Sequence, residues 1–192
     1  MVQDPTPFYI APEDPPAKRA AMAAAMALFA DRGIDAVTVR DIAAATGYTN
    51  PALFRHFPGK DALAQVLFEA AYRRLLGAIR SGASEAGLRG ATAAALTLIG
   101  EAPEAVHFVL ENIRQLYHHL PEALRRTSVL GEMRRLVCAE RGLDPAQGDL
   151  PAAMVLGTLG QIARMHLFGE LDRPPAALAD DVWRLFETGL KG

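Results

Sequence analysis

The sequence predicts an all-α fold. Apolar residues recur every three or four positions through most of the chain, the spacing of one helical face. No stretch carries the apolar–polar alternation of a half-buried strand. Between the periodic runs stand Gly, Pro and Ser/Thr/Asp, the residues that start and stop helices.

Residues 1–16 contain five prolines and no apolar period, and read as a flexible arm. A helix from Ala17 to Arg32 follows. Its alanine content favours it, and Met22, Met26 and Phe29 fall on one face with Ala25 and Leu28 beside them. Gly33 ends it. Thr38 then caps a helix carrying Val39, Ile42 and Ala43, with Asp41 three residues on completing a capping-box pattern. Gly47 stops this helix, because glycine alone takes a left-handed backbone without steric cost. Thr49 is placed to cap a second short helix with Pro51 in its first turn and Leu53, Phe54 and Phe57 as its apolar positions.

Pro58-Gly59 makes a turn, and a long helix is expected over about 60–80. Leu63, Leu67 and Leu75 share a stripe that Phe68, Tyr72, Leu76 and Ile79 widen, so the helix should touch two bodies. The Gly/Ser-rich run 81–90 reads as a loop. Helices are expected over about 91–101, 103–118 and 121–141, the last with Leu120, Leu124, Leu130, Met133 and Val137 on one side. Gly142, Asp144 and Pro145 end it. Asp149 is placed to cap a helix over about 150–169, in which Gly157 and Gly160 suggest close approach of a neighbour. A final helix over about 175–190 carries Leu178, Val182, Trp183, Leu185 and Phe186.

The stretch Thr38–Lys60 (TVRDIAAATGYTNPALFRHFPGK) organises the rest. Two short helices joined by a tight glycine turn make a helix-turn-helix. Ala43 is small enough to let them cross closely, and Leu53 is the natural buried anchor. The same pattern also fits an ordinary helical hairpin, and charge weighs against that. Residues 17–60 hold Lys18, Arg19, Arg32, Arg40, Arg55 and Lys60 against Asp31, Asp35 and Asp41, a net +3 in a chain of −2, which leaves −5 for the remainder. The basic excess lies where a phosphate backbone would be met.

Residues 21–63 resemble the N-terminal domain of the TetR family of bacterial transcriptional regulators. The resemblance rests on Ala24-Ala25, Leu28-Phe29, Gly33, Thr38, Ile42-Ala43, Gly47, the Leu53-Phe54-x-His56-Phe57 run, and Lys60 followed by Leu63. It implies a three-helix DNA-binding head over 17–60, joined by the long helix to an effector-binding and dimerisation body over 61–192. It also implies a homodimer on double-stranded DNA, paired through the helices at about 150–169 and 175–190. Those two helices could equally close a monomer core, since periodicity does not separate the cases. Helix-turn-helix geometry puts the start of the second helix in the major groove. That points to Thr49, Asn50, Pro51, Ala52 and Phe54. Asn50 alone among them can both donate to and accept from a base edge, while Pro51, Ala52 and Phe54 suit thymine methyls. Thr38, Arg40, Arg55, His56 and Lys60 would hold phosphates and set register. His56 serves equally well as a packing residue, and Arg55 as a solvated charge. The family usually has tyrosine where Phe54 stands, so a hydroxyl contact is lost here.

The resemblance further implies a small-molecule effector among the middle helices. The candidate contacts are polar or soft residues on apolar helices: His107, Phe108, Asn112, Gln115, Met133, Met154, Gln161 and Met165. An apolar cavity with a few such groups suits a hydrophobic ligand. No cofactor or metal is expected: His118 and His119 are adjacent and point about 100° apart on a helix. An enzyme would have to use Cys138 with a histidine, and the chain has no Gly-rich phosphate loop, nucleophile elbow or HExxH. A constitutive DNA-binding protein without effector is the nearer alternative, though it would not need so large an acidic body. A single cysteine, 51% apolar residues and the lack of a leader-like segment or a membrane-length apolar run lead us to expect a cytoplasmic globular protein.

Overall fold

The computed structural model describes residues 7–189, apart from the side chain of Phe54. It is all-α, with no strand among the described residues. The helices are α1 (Pro16–Arg32), α2 (Val39–Thr46), α3 (Asn50–Phe54), α4 (Lys60–Glu101), α5 (Pro103–Leu116), α6 (Glu122–Arg126), α7 (Val129–Arg141), α8 (Asp149–Leu167) and α9 (Ala179–Gly189). Residues 1–6 of the expected arm and residue 190 of the expected last helix lie outside the described residues.

The arm is corrected for its described part. Residues 7–15 form two turns closed by the Ile10 amide on the Pro7 carbonyl and the Asp14 amide on the Ala11 carbonyl. Ile10 is buried in the first core, and Asp14 accepts from the Lys18 ammonium at 2.6 Å. Proline there preorganises turns instead of leaving the chain loose.

The head forms as local rules dictate. At the start of α2 the Thr38 hydroxyl accepts from the Asp41 amide (3.2 Å), and the Asp41 carboxylate accepts from the Thr38 amide (2.8 Å). This satisfies two orphan donors of the first turn reciprocally. Gly47 takes φ 71° and ends the helix. α1, α2 and α3 meet around Phe29, Ile42 and Leu53, each 2% exposed or less.

The largest departure from expectation lies in α4. The segment 81–90 is not a loop but helix on both sides of a reversal at Ala86 (φ −148°) and Gly87 (φ 57°). Arms 60–85 and 88–101 fold back on one another as a hairpin. Gly82 and Gly90 sit at their crossing: a Cβ on Gly82 would lie 2.2 Å from the Gly90 carbonyl oxygen, and one on Gly90 2.0 Å from that of Gly82. Glycines that look like loop formers in sequence are here a condition of close backbone packing.

Three other boundaries move. The helix expected over 121–141 is broken into α6 and α7 by Thr127 and Ser128, whose hydroxyl accepts from the Gly131 amide and caps α7. Leu130 consequently faces out, 44% exposed, and leaves the stripe in which Met133 and Val137 are buried. Asp149 does not cap α8. It lies in the first turn, pairs with Arg134 at 2.5 Å, and leaves Gly148 as the cap position. Gly148 is held close by α7, since a Cβ there would come within 2.5 Å of Cys138 Sγ. Gly157 has no neighbour within 4 Å of its missing Cβ, so nothing among the described residues accounts for it.

Two cores result. The first joins α1–α3 to the first half of α4 and to Phe108, Val109, Leu116, Leu120 and Leu124. The second gathers Ile79, Leu88, Ile99, Met133, Val155, Leu159 and Phe186 from α4 and α7–α9. Leu75 touches both, so α4 does contact two bodies. Packing therefore does not divide at residue 60, where the sequence suggests a boundary: α5 closes the core of the head.

Candidate functional site: a nucleic-acid interface and two cavities

The turn between α2 and α3 presents a polar, exposed edge. Arg40, Thr49, Pro51 and Arg55 are exposed, and Asn50, Ala52 and His56 half-buried. The Asn50 side chain has no hydrogen-bond partner among the described residues, and neither does that of Arg40, so both keep their full donor capacity. Thr49 takes the cap position by backbone only, contrary to expectation, and its hydroxyl forms no cap bond. A proline at the first turn fixes the backbone there without it. Arg55 Nε donates to His56 Nε2 at 3.1 Å, which ties the two expected phosphate ligands together.

Two of the expected phosphate residues have internal work. The Thr38 hydroxyl donates to Asp41 at 2.6 Å while accepting from its amide. The Lys60 ammonium donates to the carbonyls of Ile34 (2.7 Å) and Val37 (2.8 Å), pinning the start of α4 to the α1–α2 turn. One N–H of Lys60 is left for a phosphate. Asp41 is held below its ordinary 3.8 chiefly by the hydrogen bond from the Thr38 side chain, and further by that from the Thr38 backbone. The side chain of Phe54 lies outside those described. Tyr48, 40% exposed at the turn, belongs to the same edge and was missed. Its only sequence signal was an aromatic between Gly47 and the cap position, with no apolar partner at helical spacing.

The structure scatters the eight expected effector contacts. Met133 is fully buried in the second core. Met154 and Gln161 lie on the exposed side of α8, and half-buried Met165 lines no cavity described here. His107, Phe108, Asn112 and Gln115 do come together, in a cavity of about 690 Å³ between the α1–α2 turn and α5. That cavity is mixed in character, and not the apolar one expected.

An apolar cavity of about 540 Å³ lies elsewhere, inside the body. Ile79, Ala95 and Ile99 of α4 form its floor, Val106, Val109 and Leu110 of α5 one wall, and Leu156, Leu159 and Gly160 of α8 the other. Tyr72 lines it and accepts from the Val129 amide at 2.9 Å. Burial raises the Tyr72 hydroxyl above its usual range. Arg114, His118 and Ser128 are the polar groups of its lining. Leu110, Ile113 and Leu130, each more than a third exposed, belong to the same lining. Sequence reading placed Ile79 and Leu130 on apolar stripes and singled out neither Leu110 nor Ile113, because helical spacing does not separate a cavity wall from core.

A helix-turn-helix presented on a helical body with its own cavity is the build of a DNA-binding regulator. Residues 21–67 match the family model of the bacterial regulatory proteins of the tetR family. Cys138 packs against Gly148, outside the matched segment. Among curated proteins the chain is similar to the HTH-type transcriptional repressor KstR2 of Rhodococcus jostii, 34% identical over 110 residues, 57% of this chain and 53% of that one. The chain thus spans about half the length of this relative. Among solved structures it resembles the ketosteroid transcriptional regulator KstR2 of Mycobacterium tuberculosis, with a TM-score of 0.75 at 19% identity over 94% of this chain and 97% of that one. It also resembles the transcriptional regulator FadR of Bacillus subtilis in complex with stearoyl-CoA, with a TM-score of 0.58 at 17% identity over 87% and 96%. At these identities the structures establish the shared fold. Among the described residues no single helix is long and apolar enough to cross a membrane.

Proposed function

We propose that the chain is a ligand-released repressor that binds a near-palindromic operator as a homodimer. In this reading Asn50 reads a base edge, and Thr49, Pro51, Ala52 and Phe54 complete the groove contact. Arg40, Arg55, His56 and the remaining N–H of Lys60 hold phosphates, with Thr38 beside them. The head over 17–60 binds DNA, and the body over 61–192 holds effector and partner. Pairing would run through α8 and α9, where Leu150 (80% exposed), Met154 (38%) and Leu185 (67%) leave an apolar face uncovered. Gly157 on that face would admit a close helix of the second copy, where nothing among the described residues approaches it.

The observation that carries the effector reading is the apolar cavity. Its volume is that of a site for a small ligand. It sits between α4, which bears the head, and α8, which would bear the partner. The relatives named for ketosteroid regulation and solved with stearoyl-CoA support a bulky apolar ligand. Arg114 and His118 in an otherwise apolar lining suit an anionic end on it. Release then follows if the ligand prefers the arrangement of heads that does not fit the operator.

The test is anisotropy of a labelled fragment from upstream of the chain's own gene, titrated first with protein and then with stearoyl-CoA or a 3-ketosteroid. The reading expects tight binding and release by at least one of the two. It also expects Ile99→Trp, which fills the cavity, to keep DNA binding while losing release. Release unaffected by that substitution would place the effector elsewhere, and binding insensitive to both ligands would favour a constitutive DNA-binding protein.

A further inference from the structure

The cavity between head and body has no part in the reading above. It is walled by the α1–α2 turn on one side and by α5 and the end of α8 on the other, so it exists only where the two bodies meet. Its most buried polar group is His107, 8% exposed and without a hydrogen-bond partner among the described residues. Asn112, 9% exposed, donates to the Phe108 carbonyl at 2.8 Å and has no donor to its own amide oxygen. The unpartnered atoms of both stay open to the cavity they border and are not sealed from solvent. Its rim is acidic: Asp35, Glu104 and Glu111 have no ion-pair partner among the described residues, and the one arginine of the lining, Arg32, is bound to Asp31 at 3.2 Å. Its apolar surface mixes Ala27, Ala30, Ile34, Ala36 and Leu167 with the exposed Phe168, and Phe29 and Phe108 are buried behind it. Phe29 and Phe108 stack at 5.9 Å between centroids, and Phe168 meets the His107 ring edge-on at 5.9 Å.

We propose that this cavity is a second ligand site, for a small organic cation with an aromatic or apolar body. The carboxylates of Glu104 and Glu111 attract and pair the cationic group. The body lies against the exposed ring of Phe168, whose face also favours cations. His107 and the Asn112 amide oxygen take its remaining hydrogen bonds. At about 690 Å³ the space fits a drug-sized molecule. Residues 31–36 and the Glu104–Gln115 face of α5 are its two halves, so such a ligand would touch the head and the body at once.

The test needs no DNA and stands apart from the repressor reading. Full-length protein is titrated with dansylcadaverine, a primary amine whose naphthalene brightens in apolar surroundings. We expect saturable binding of one probe per chain. The double change Glu104→Gln with Glu111→Gln should weaken it about tenfold or more, as loss of charge-assisted contacts does. N-acetylation of the probe should do the same to the unaltered protein, which guards against a folding defect in the variant. Ile99→Trp should leave binding unchanged. Absence of saturable binding would overturn the proposal. So would binding that survives the carboxylate changes and acetylation but is lost on Ile99→Trp, which would put the probe in the apolar cavity.

Discussion

Asn50 and Thr38 carry opposite burdens on one short stretch. The Asn50 side chain has no hydrogen-bond partner among the described residues, so Asn50→Ala should leave stability nearly unchanged. It should relax selectivity at one base position, by about 1–3 kcal/mol. Binding measured across single-base operator variants checks this, and equal loss at every position would contradict a reading role. Thr38 is a cap, and Thr38→Ala should cost about 1 kcal/mol of stability by urea unfolding. The partner carboxylate adds a pH dependence. Asp41 is depressed in the folded state, so its contribution is fully present above its ordinary 3.8 and is lost as pH falls through the lower folded value. Asp41→Asn should therefore lower stability at neutral pH and flatten the acid limb. A pH series of unfolding midpoints for both proteins would show whether the two curves converge in acid, as expected. Lys60 differs again: Lys60→Ala removes the tie to the carbonyls of Ile34 and Val37 as well as a phosphate donor, so stability and DNA binding should fall together.

Among the elements, the helix-turn-helix was legible because each of its helix starts and stops is set by residues a few positions apart. The Thr38–Asp41 box, the left-handed Gly47 and the buried Leu53 each follow from local rules. The hairpin of α4 was not legible, because what Gly82 and Gly90 do depends on a backbone eight residues away and not on their neighbours. Composition says loop there, and close packing overrides it. Ser128 was a readable cap that the apolar stripe across it concealed. The cavities failed for another reason. Reading polar or soft residues off apolar helices found four residues of one wall of the head–body cavity, all on α5, whereas the apolar cavity is built from Leu, Ile and Val of α4, α5, α7 and α8 that differ from core only in what they fail to touch. The hairpin makes its own prediction. Gly90→Val puts side-chain atoms into the Gly82 backbone and should destabilise the protein by about 1–3 kcal/mol or more. A thermal melt checks it, and an unchanged midpoint would mean that the arms do not cross there.

At the scale of the whole molecule, a basic head and an acidic body share α4, and one core runs from Leu53 through Phe68 to Phe108 and Leu124. Head and body are therefore joined through packed side chains along α4. If α8 and α9 pair two copies, Leu185→Arg should yield monomers by sedimentation and abolish tight DNA binding while leaving the fold intact by circular dichroism. The most direct measurement is selection from random-sequence DNA by the full-length protein at physiological salt. The account predicts enrichment of a near-palindrome bound by two copies, with half-sites about 10 base pairs or a multiple of that apart, the repeat of successive major grooves. Failure to enrich any sequence, with weak binding that vanishes as salt rises, would leave only the phosphate term and contradict it.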